Sequence, residues 1–298
     1  MMWQPRGRPR INPDSPQKNG LILWYPLCSA ESAATHYLDC SGKGNHLLTS
    51  WTASQNWITH MPDYGLGMYT HTSGVTRTIQ DGGVLDALTG PITIAFWYRR
   101  TATSAAGTYI LGCGSTSSST GFILAASIQN ANNLGYFPGT TGLGTLNSNN
   151  YFDMGVRAVN VTEHHCITGQ GATLTHYVNG KPVSLWSLSG TQAQPTNHTT
   201  ARCFGSFQSG AGPMHDLILS DLRIYNRALS ASEVQTLWNP ATRFDLYASD
   251  EWDYFMSAGT SLMAAEADEG GGGGDGNWSG DIFRPVFRDT FRPIFRGV

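Results

Sequence analysis

Three groups of side chains in this 298-residue chain have the types and spacing to do chemistry. The first is His164-His165-Cys166, which offers imidazoles and a thiol for metal or nucleophile chemistry. In an extended strand adjacent residues turn to opposite faces, so the two imidazoles cannot easily meet one ion, and strand residues with one side buried are the plainer reading. Elsewhere there is no zinc-ligand spacing, no nucleophile elbow and no glycine-rich phosphate loop opening a helix. The second group is Trp51, Trp57, Tyr64, Tyr69 and His71. These rings sit in a stretch with few strand signals and could form an aromatic platform for a sugar, against the alternative of ordinary core packing. The polar run 139–150 could rim such a site or touch a neighbour. The third is the C-terminal series Phe283-Arg284, Phe287-Arg288, Phe291-Arg292 and Phe295-Arg296. A spacing of four puts every Phe on one face of an extended chain and every Arg on the other. Pro285 and Pro293 argue against a helix there. The series is suited to lie across a partner surface, apolar side down.

The elements that would position these groups are mostly strands. Only 13% of the residues are charged, while aromatics make up 11% and glycine numbers 35, which favours turn-rich β-structure over helical bundles. Short apolar or alternating runs recur at 21–25, 92–98, 109–111, 122–125, 173–178, 183–188 and 217–225. In the second of these, Ile92, Ile94, Phe96 and Tyr98 share one face. Asn179-Gly180 between two such runs predicts a type I′ hairpin. One helix is signalled: Ser230 and Glu233 form a capping box, Leu229 can staple onto Val234, and the helix ends near Trp238 before Asn239-Pro240.

Charge is segregated along the chain. Residues 1–20 carry four basic and one acidic side chain, 21–244 balance at ten of each, 245–276 carry eight acids and no base, and 277–298 carry four arginines and two acids. This predicts a basic N-terminal arm at 1–20, a neutral body at 21–240, an acidic aromatic segment with a glycine linker at 241–276, and the Phe-Arg tail at 277–298. No apolar run approaches the ~18 residues of a membrane span, and the first twenty residues show no signal-peptide stretch. The five cysteines, Cys28, Cys40, Cys113, Cys166 and Cys203, are too irregularly spaced for a disulfide framework and read as buried thiols, with Cys28–Cys40 the local alternative. A pI near 6.3 and a neutral body oppose nucleic-acid binding.

Several segments resemble one family in the right order. Leu21-Ile22-Leu23-Trp24-Tyr25-Pro26-Leu27 followed by Asp39-Cys40-Ser41-Gly42-Lys43-Gly44-Asn45-His46 is similar to the opening strand and D-x-S-G-x-G-N-H loop of laminin-G-like, concanavalin A-like lectin domains. Ile92–Tyr98 resembles the family's central strand, Leu174–Gly180 its "y-V-N-G" hairpin, and Asp221–Ser230 its closing signature. The resemblance covers about residues 20–240 and implies an all-β fold: a two-sheet antiparallel jelly-roll sandwich, here with one short C-terminal helix and extended arms at both ends. It also implies a structural calcium near the first loop, with Asp39, Asn45 and Asp221 at the matching positions. Asp39 and Asn45 read equally as turn formers and Asp221 as a hydrogen-bonded strand acid. Leu47-Leu48 departs from the glycine usual after the Asn-His pair.

Fold alone does not give function. Glycanases of this fold class carry an E-x-D-x-x-E strand motif whose carboxylates act about 5 Å apart. The nearest match, Glu251-Trp252-Asp253-Tyr254-Phe255-Met256, lacks the third acid and lies beyond the sandwich, so no enzymatic activity is expected. The expected function is that of a structural or interaction protein in a large assembly, a homo-oligomer whose arms dock on neighbouring subunits. Because stand-alone sandwiches of this resemblance recur in phage and virion proteins, the expected setting is a virion, as a capsid decoration, fibre-associated or tail protein. The alternative is an extracellular or cell-surface lectin that binds glycans.

Overall fold

The computed structural model describes residues 9–28, 36–37, 39–48, 56–70, 77–79, 90–103, 108–114, 121–127, 133–138, 152–187, 202–204 and 216–248. The described strands are β1 (Leu21–Tyr25), β2 (His36–Tyr37), β3 (Leu47–Leu48), β4 (Asn56–Met61), β5 (Gly65–Thr70), β6 (Arg77–Ile79), β7 (Ile92–Arg100) and β8 (Thr108–Gly114). They continue with β9 (Gly121–Ser127), β10 (Asn133–Pro138), β11 (Phe152–Val156), β12 (Thr162–Gln170), β13 (Thr173–Val178), β14 (Lys181–Ser187), β15 (Arg202–Phe204) and β16 (Leu217–Tyr225). They form two antiparallel sheets. The first runs β14-β13-β12-β7-β16-β5-β4, with β1 also on β16, and the second runs β11-β10-β9-β8-β15-β6-β3-β2. This is the expected jelly-roll sandwich.

Alternation on β7 sets the layers. Ile92, Ile94, Phe96 and Tyr98 point into the core between the sheets with Leu124, Leu134, Phe152 and Phe204, all buried. Ala95 and Trp97 point to the outer face of the first sheet, where they meet Trp24, Tyr64, Tyr225 and Leu237. On β16 the parity changes midway. Leu217 and Leu219 face inward, and so do Leu222 and Ile224. The register against β7 shifts between Ser220 and Arg223, where Asp221 adopts a left-handed φ of 51°. This bulge turns Asp221 and Arg223 outward.

The outer face is roofed by α1 (Ala231–Trp238) and by the chain on either side of the sandwich. The capping box forms as expected: Ser230 Oγ accepts from Glu233 N, and Glu233 Oε2 accepts from Ser230 N at 2.8 Å. Leu229 and Val234 lie together in the outer cluster. The hairpin also forms as read, with Asn179 at φ 50° and Gly180 at φ 75°. Gly180 packs so closely on α1 that an added Cβ would sit 2.6 Å from Gln235 Oε1.

The body is larger than the charge pattern suggests. Arg243, Phe244, Leu246 and Tyr247 are buried in the outer layer, so the sandwich's cover runs to Ala248 rather than ending at 240. At the other end, Ser15 and Gln17 are buried, and Gln17 Nε2 donates to Thr242 O at 2.7 Å. The stretch from Pro9 to Gly20 is therefore part of the body, not an arm. Burial overrides a boundary drawn from charge because Phe244, Leu246 and Tyr247 remove apolar area from water whatever the charge of their neighbours. Among the cysteines, Cys28, Cys40 and Cys166 are free thiols, so Cys28 and Cys40 are not bridged.

Candidate functional site

The first loop, Asp39–His46, is built around one carboxylate. Asp39 Oδ1 accepts from Trp24 N and from Ser41 N, both at 2.9 Å, while Oδ2 accepts from Ser41 Oγ at 2.6 Å and Asn45 N at 3.0 Å. Asn45 Nδ2 donates to Ile22 O at 2.6 Å, and the Tyr25 hydroxyl donates to Asn45 O. Gly42 and Gly44, each at φ 78°, let the chain double back to deliver these donors. Asp221 is also committed, because Arg223 Nε and Nη2 grip it at 2.9 and 2.6 Å and Trp24 Nε1 donates to it at 2.8 Å. A hard cation needs several free oxygens. Here both carboxylates face N–H and O–H donors and a guanidinium, and Asn45 Oδ1, buried with no hydrogen-bond partner among the described residues, is left as a single oxygen, so Asp39, Asn45 and Asp221 together do not fit a calcium ion. The described residues contain no group of three or more His, Cys, Asp or Glu arranged to hold a metal. The turn-former and strand-acid readings describe these residues.

The aromatic candidates do not form one platform. Tyr64 is fully buried, its ring 4.6 Å from that of Trp97 and 5.5 Å from that of Phe244, and the Arg243 guanidinium lies 5.3 Å from its centroid. It belongs to the outer core, because residues 239–248 cover it. Tyr69 packs partly buried against the same cluster. The stretch from Asn56 to Thr70 is the hairpin β4–β5, not a loop, and Trp57 opposes Tyr69 on it. Trp51 and His71 lie outside the described residues, as do all eight residues of the Phe-Arg series and the run 139–150.

The His164-His165 pair splits between faces as strand alternation requires. His164 rings against Trp97 on the outer side, at 5.2 Å. His165 enters the inter-sheet core, stacks on Phe96 at 5.5 Å, and meets His176 of β13, with its Nδ1 3.1 Å from His176 Nε2. Its Nε2 lies 3.4 Å from Glu163 Oε2, and Glu163 Oε1 lies 3.7 Å from Arg157 Nη1. The carboxylate favours the proton on His165 Nε2, which leaves Nδ1 to accept from His176 Nε2–H. The chain of polar groups then ends at His176 Nδ1, which is buried and has no hydrogen-bond partner among the described residues. Burial pushes both imidazoles below the ordinary histidine range, His176 down to about 2, and so keeps them neutral. Glu163 is held below the usual carboxylate range by the hydrogen bond from His165. The sequence shows His165 but not its partner. His176 comes into reach through the turn at Gly171, which pairs β12 with β13.

The exposed large apolar side chains among the described residues are Val156, Val159, Val161, Val183 and Leu185. Val156 ends the edge strand β11, Val183 and Leu185 lie on the edge strand β14, and Val159 and Val161 lie between β11 and β12. The two edges meet where Phe152 of β11 stacks on Trp186 of β14, at 5.4 Å and 8°. Leu185 is 67% and Val156 65% exposed.

Comparison with known proteins agrees with this architecture. No curated protein matches the chain by sequence. Solved structures share its fold: the binding domain of Paraclostridial Mosquitocidal Protein 1 is 16% identical with a TM-score of 0.54, covering 76% of this chain and 53% of that one. The receptor binding domain of botulinum neurotoxin D is 15% identical with a TM-score of 0.52, covering 74% and 53%. The binding domain of Botulinum Neurotoxin DC in complex with SialylT is 16% identical with a TM-score of 0.51, covering 75% and 52%. The matched part spans about half the length of those chains. The sequence profile of the concanavalin A-like lectin/glucanases superfamily matches residues 71–235, more than half of the chain, and the chain belongs to that superfamily.

Proposed function

We propose that this lectin-like chain is a non-enzymatic interaction module of a larger protein assembly, a virion particle being the setting that its sequence resemblance favours. The observation that carries this reading is the apolar surface at the β11 and β14 edges. Among the described residues, Val156, Val183 and Leu185 are exposed on β11 and β14, the end strands of their sheets, and offer area to a protein neighbour, whereas the carboxylates of Asp39, Asp221 and Glu163 are tied into internal bonds. The Phe-Arg series supplies a complementary element of the assembly, docking on a neighbouring subunit through its apolar face. Copies of the same chain are the simplest neighbours.

Light scattering on the full chain beside a chain ending at Ala248 tests this reading. Higher-order species are expected from the full chain alone, and they should be lost when Phe283, Phe287, Phe291 and Phe295 are replaced by Ser. A full chain that stays monomeric at all concentrations would remove the support for self-assembly.

A second reading is glycan binding by the body. It is favoured by membership of a superfamily of lectins and glucanases, and by a fold shared with a toxin domain solved in complex with SialylT. With Tyr64 buried, the rings left to test are Trp51, Trp57 and Tyr69 with His71. A glycan array with Trp57→Ala as control distinguishes this reading, since binding that survives the substitution excludes that platform.

A further inference from the structure

A cleft of about 140 Å³ lies between α1, the end of β16 and the short helical turn Pro16–Lys18. Its floor is apolar, made by the buried side chains of Tyr225, Leu229 and Leu237. One wall is the turn itself, which is fixed rather than loosely laid on the helix. Ser15 Oγ accepts from Gln17 N at 3.2 Å, Gln17 Nε2 donates to Thr242 O at 2.7 Å, and Thr242 Oγ1 donates to Thr236 O of α1 at 2.8 Å.

The mouth carries an ion pair. Arg227 Nη2 lies 2.7 Å from Glu233 Oε1, and Arg227 Nε donates to Asn19 O at 2.8 Å. Gly20, at φ 76°, leaves room for the arginine stem, since a Cβ there would come within 3.0 Å of Arg227 Cγ and Cδ. The pair is not saturated. Glu233 Oε2 accepts from Ser230 N and Ser230 Oγ, whereas Oε1 takes only the arginine, and a carboxylate oxygen has two lone-pair sites. Arg227 Nη1 makes no hydrogen bond among the described residues. One donor and one acceptor thus stand beside an apolar floor, the complement of the C=O and N–H of an amide.

We propose that this cleft is a docking socket for one phenylalanine side chain of a peptide segment, whose main chain crosses the Arg227–Glu233 pair. The socket shares no residue with the exposed apolar side chains of β11 and β14 and is a separate site. Size selects the ring, because an apolar cavity of roughly 150 Å³ takes up one benzene molecule. A methyl group would leave most of this volume empty. Bonding capacity selects a peptide, which brings its own amide alongside each side chain. The choice of phenylalanine also rests on the assembly reading above, since the sequence holds Phe-Arg four times between 283 and 296. A preformed socket suits that role, because a buried aromatic anchor supplies much of the energy of an interface and fixed walls lower the ordering cost.

Fluorescence anisotropy of a labelled synthetic peptide with the sequence 281–298 tests the socket. The receptor is the full chain with its own Phe283, Phe287, Phe291 and Phe295 replaced by Ser, so that no ring of its own competes. Saturable binding is expected, and a peptide with the same four replacements should not bind. Ser232→Trp puts an indole at the exposed edge of the cleft and should weaken binding about tenfold or more, the loss that an evicted aromatic anchor brings. Glu233→Gln keeps one oxygen for the Ser230 cap but gives up the second acceptor, and should weaken binding about threefold. Lys43→Ala, on the first loop, should leave it unchanged. Melting curves that match the parent show that each variant is folded. Absence of saturable binding, or binding that Ser232→Trp and Glu233→Gln both leave unchanged, would overturn the socket. Displacement of the peptide by N-acetylglucosamine, whose acetamido group offers the same C=O and N–H, would overturn the peptide in favour of a sugar. Light scattering of the parent chain separates this inference from the assembly reading: assembly without peptide binding refutes the socket alone, and peptide binding by a chain that stays monomeric refutes self-assembly alone.

Discussion

Asp221 and Arg223 stand two residues apart on one strand yet clasp each other in a bidentate ion pair, Nε to Oδ1 at 2.9 Å and Nη2 to Oδ2 at 2.6 Å, both side chains almost fully buried. The left-handed turn at Asp221 makes this possible by adding a bulge to β16. Arg223 then reaches outward, with Nη1 2.6 Å from Gln17 Oε1 and Nη2 3.0 Å from Arg243 O. One side chain thereby ties the central sheet to the chain before it and the chain after it. The D-L-R of the closing signature is a structural clamp rather than a ligand set.

Removing one partner of this clamp should be costly. Arg223→Met leaves a buried carboxylate without its counter-charge, and the loss is expected to be about 3–5 kcal/mol. Replacing both, as Asp221→Asn with Arg223→Met, should cost less than the two single changes combined, because no orphaned charge remains. Urea unfolding of the three variants measures this. Additive losses would mean that the two groups do not depend on each other.

Asp39 provides a second test, independent of the first. Asp39→Ala strips the acceptors from Trp24 N, Ser41 N and Asn45 N at once, and a buried donor left unsatisfied costs about 1–3 kcal/mol. A loss of at least about 3 kcal/mol is expected, with no dependence on calcium in either protein. A melting temperature of the unsubstituted chain that rises when calcium is added and falls with chelator would contradict the assignment of Asp39 as an internal hub.

Acid should weaken the body through its buried imidazoles. Burial holds His164, His165 and His176 below the ordinary histidine range, so they are neutral in the folded chain at neutral pH, whereas in the unfolded chain they charge as pH falls below about 6.5. The unfolded state then binds more protons, and stability declines from about pH 6.5 downward, by at most roughly 1.4 kcal/mol per unit for each histidine that stays neutral in the folded chain. Glu163, also held low, adds a loss of the same sign at lower pH as it protonates. The Arg157 charge beside this group opposes protonation of His165 and His176 further. His176→Phe should reduce the slope of unfolding free energy between pH 6.5 and 5 by about one histidine's share. An unchanged slope would mean that His176 does not titrate between the two states.

What could be read from the sequence was what local pattern decides. The faces of Ile92–Tyr98, the Asn179-Gly180 turn and the Ser230–Glu233 capping box involve neighbours a few residues apart, and each is in place. Tyr64 was illegible because what buries it, Arg243 and Phe244, lies about 180 residues further along the chain. The bulge at Asp221 hides a change of strand parity that no regular alternation reveals. The β4–β5 hairpin escaped because His60, Thr59 and the glycines Gly65 and Gly67 break the apolar pattern, and Gly67 is there for space: a Cβ would come within 2.6 Å of Ile218 Cγ2.

The end of the folded body gives the last prediction. A chain cut after Asn239 looks complete from its helix signal, but it discards Arg243, Phe244, Leu246 and Tyr247. Tyr247 stands edge-on to Trp24 at 4.8 Å, and the Arg243 guanidinium lies 5.3 Å from the rings of both Tyr64 and Trp97. Its loss would uncover three large aromatic side chains and take the acceptor Arg243 O from Arg223. Each aromatic exposed forfeits about 1.5–3 kcal/mol of burial, a sum comparable to the 5–15 kcal/mol that holds a typical domain together. The chain ending at Asn239 is therefore expected to aggregate or melt far below the full chain, whereas one ending at Ala248 keeps the bond from Ala248 N to Arg10 O and should melt close to it. Differential scanning calorimetry of the two truncations decides the matter. Equal melting temperatures would show that the 240–248 segment covers the outer face without stabilising it.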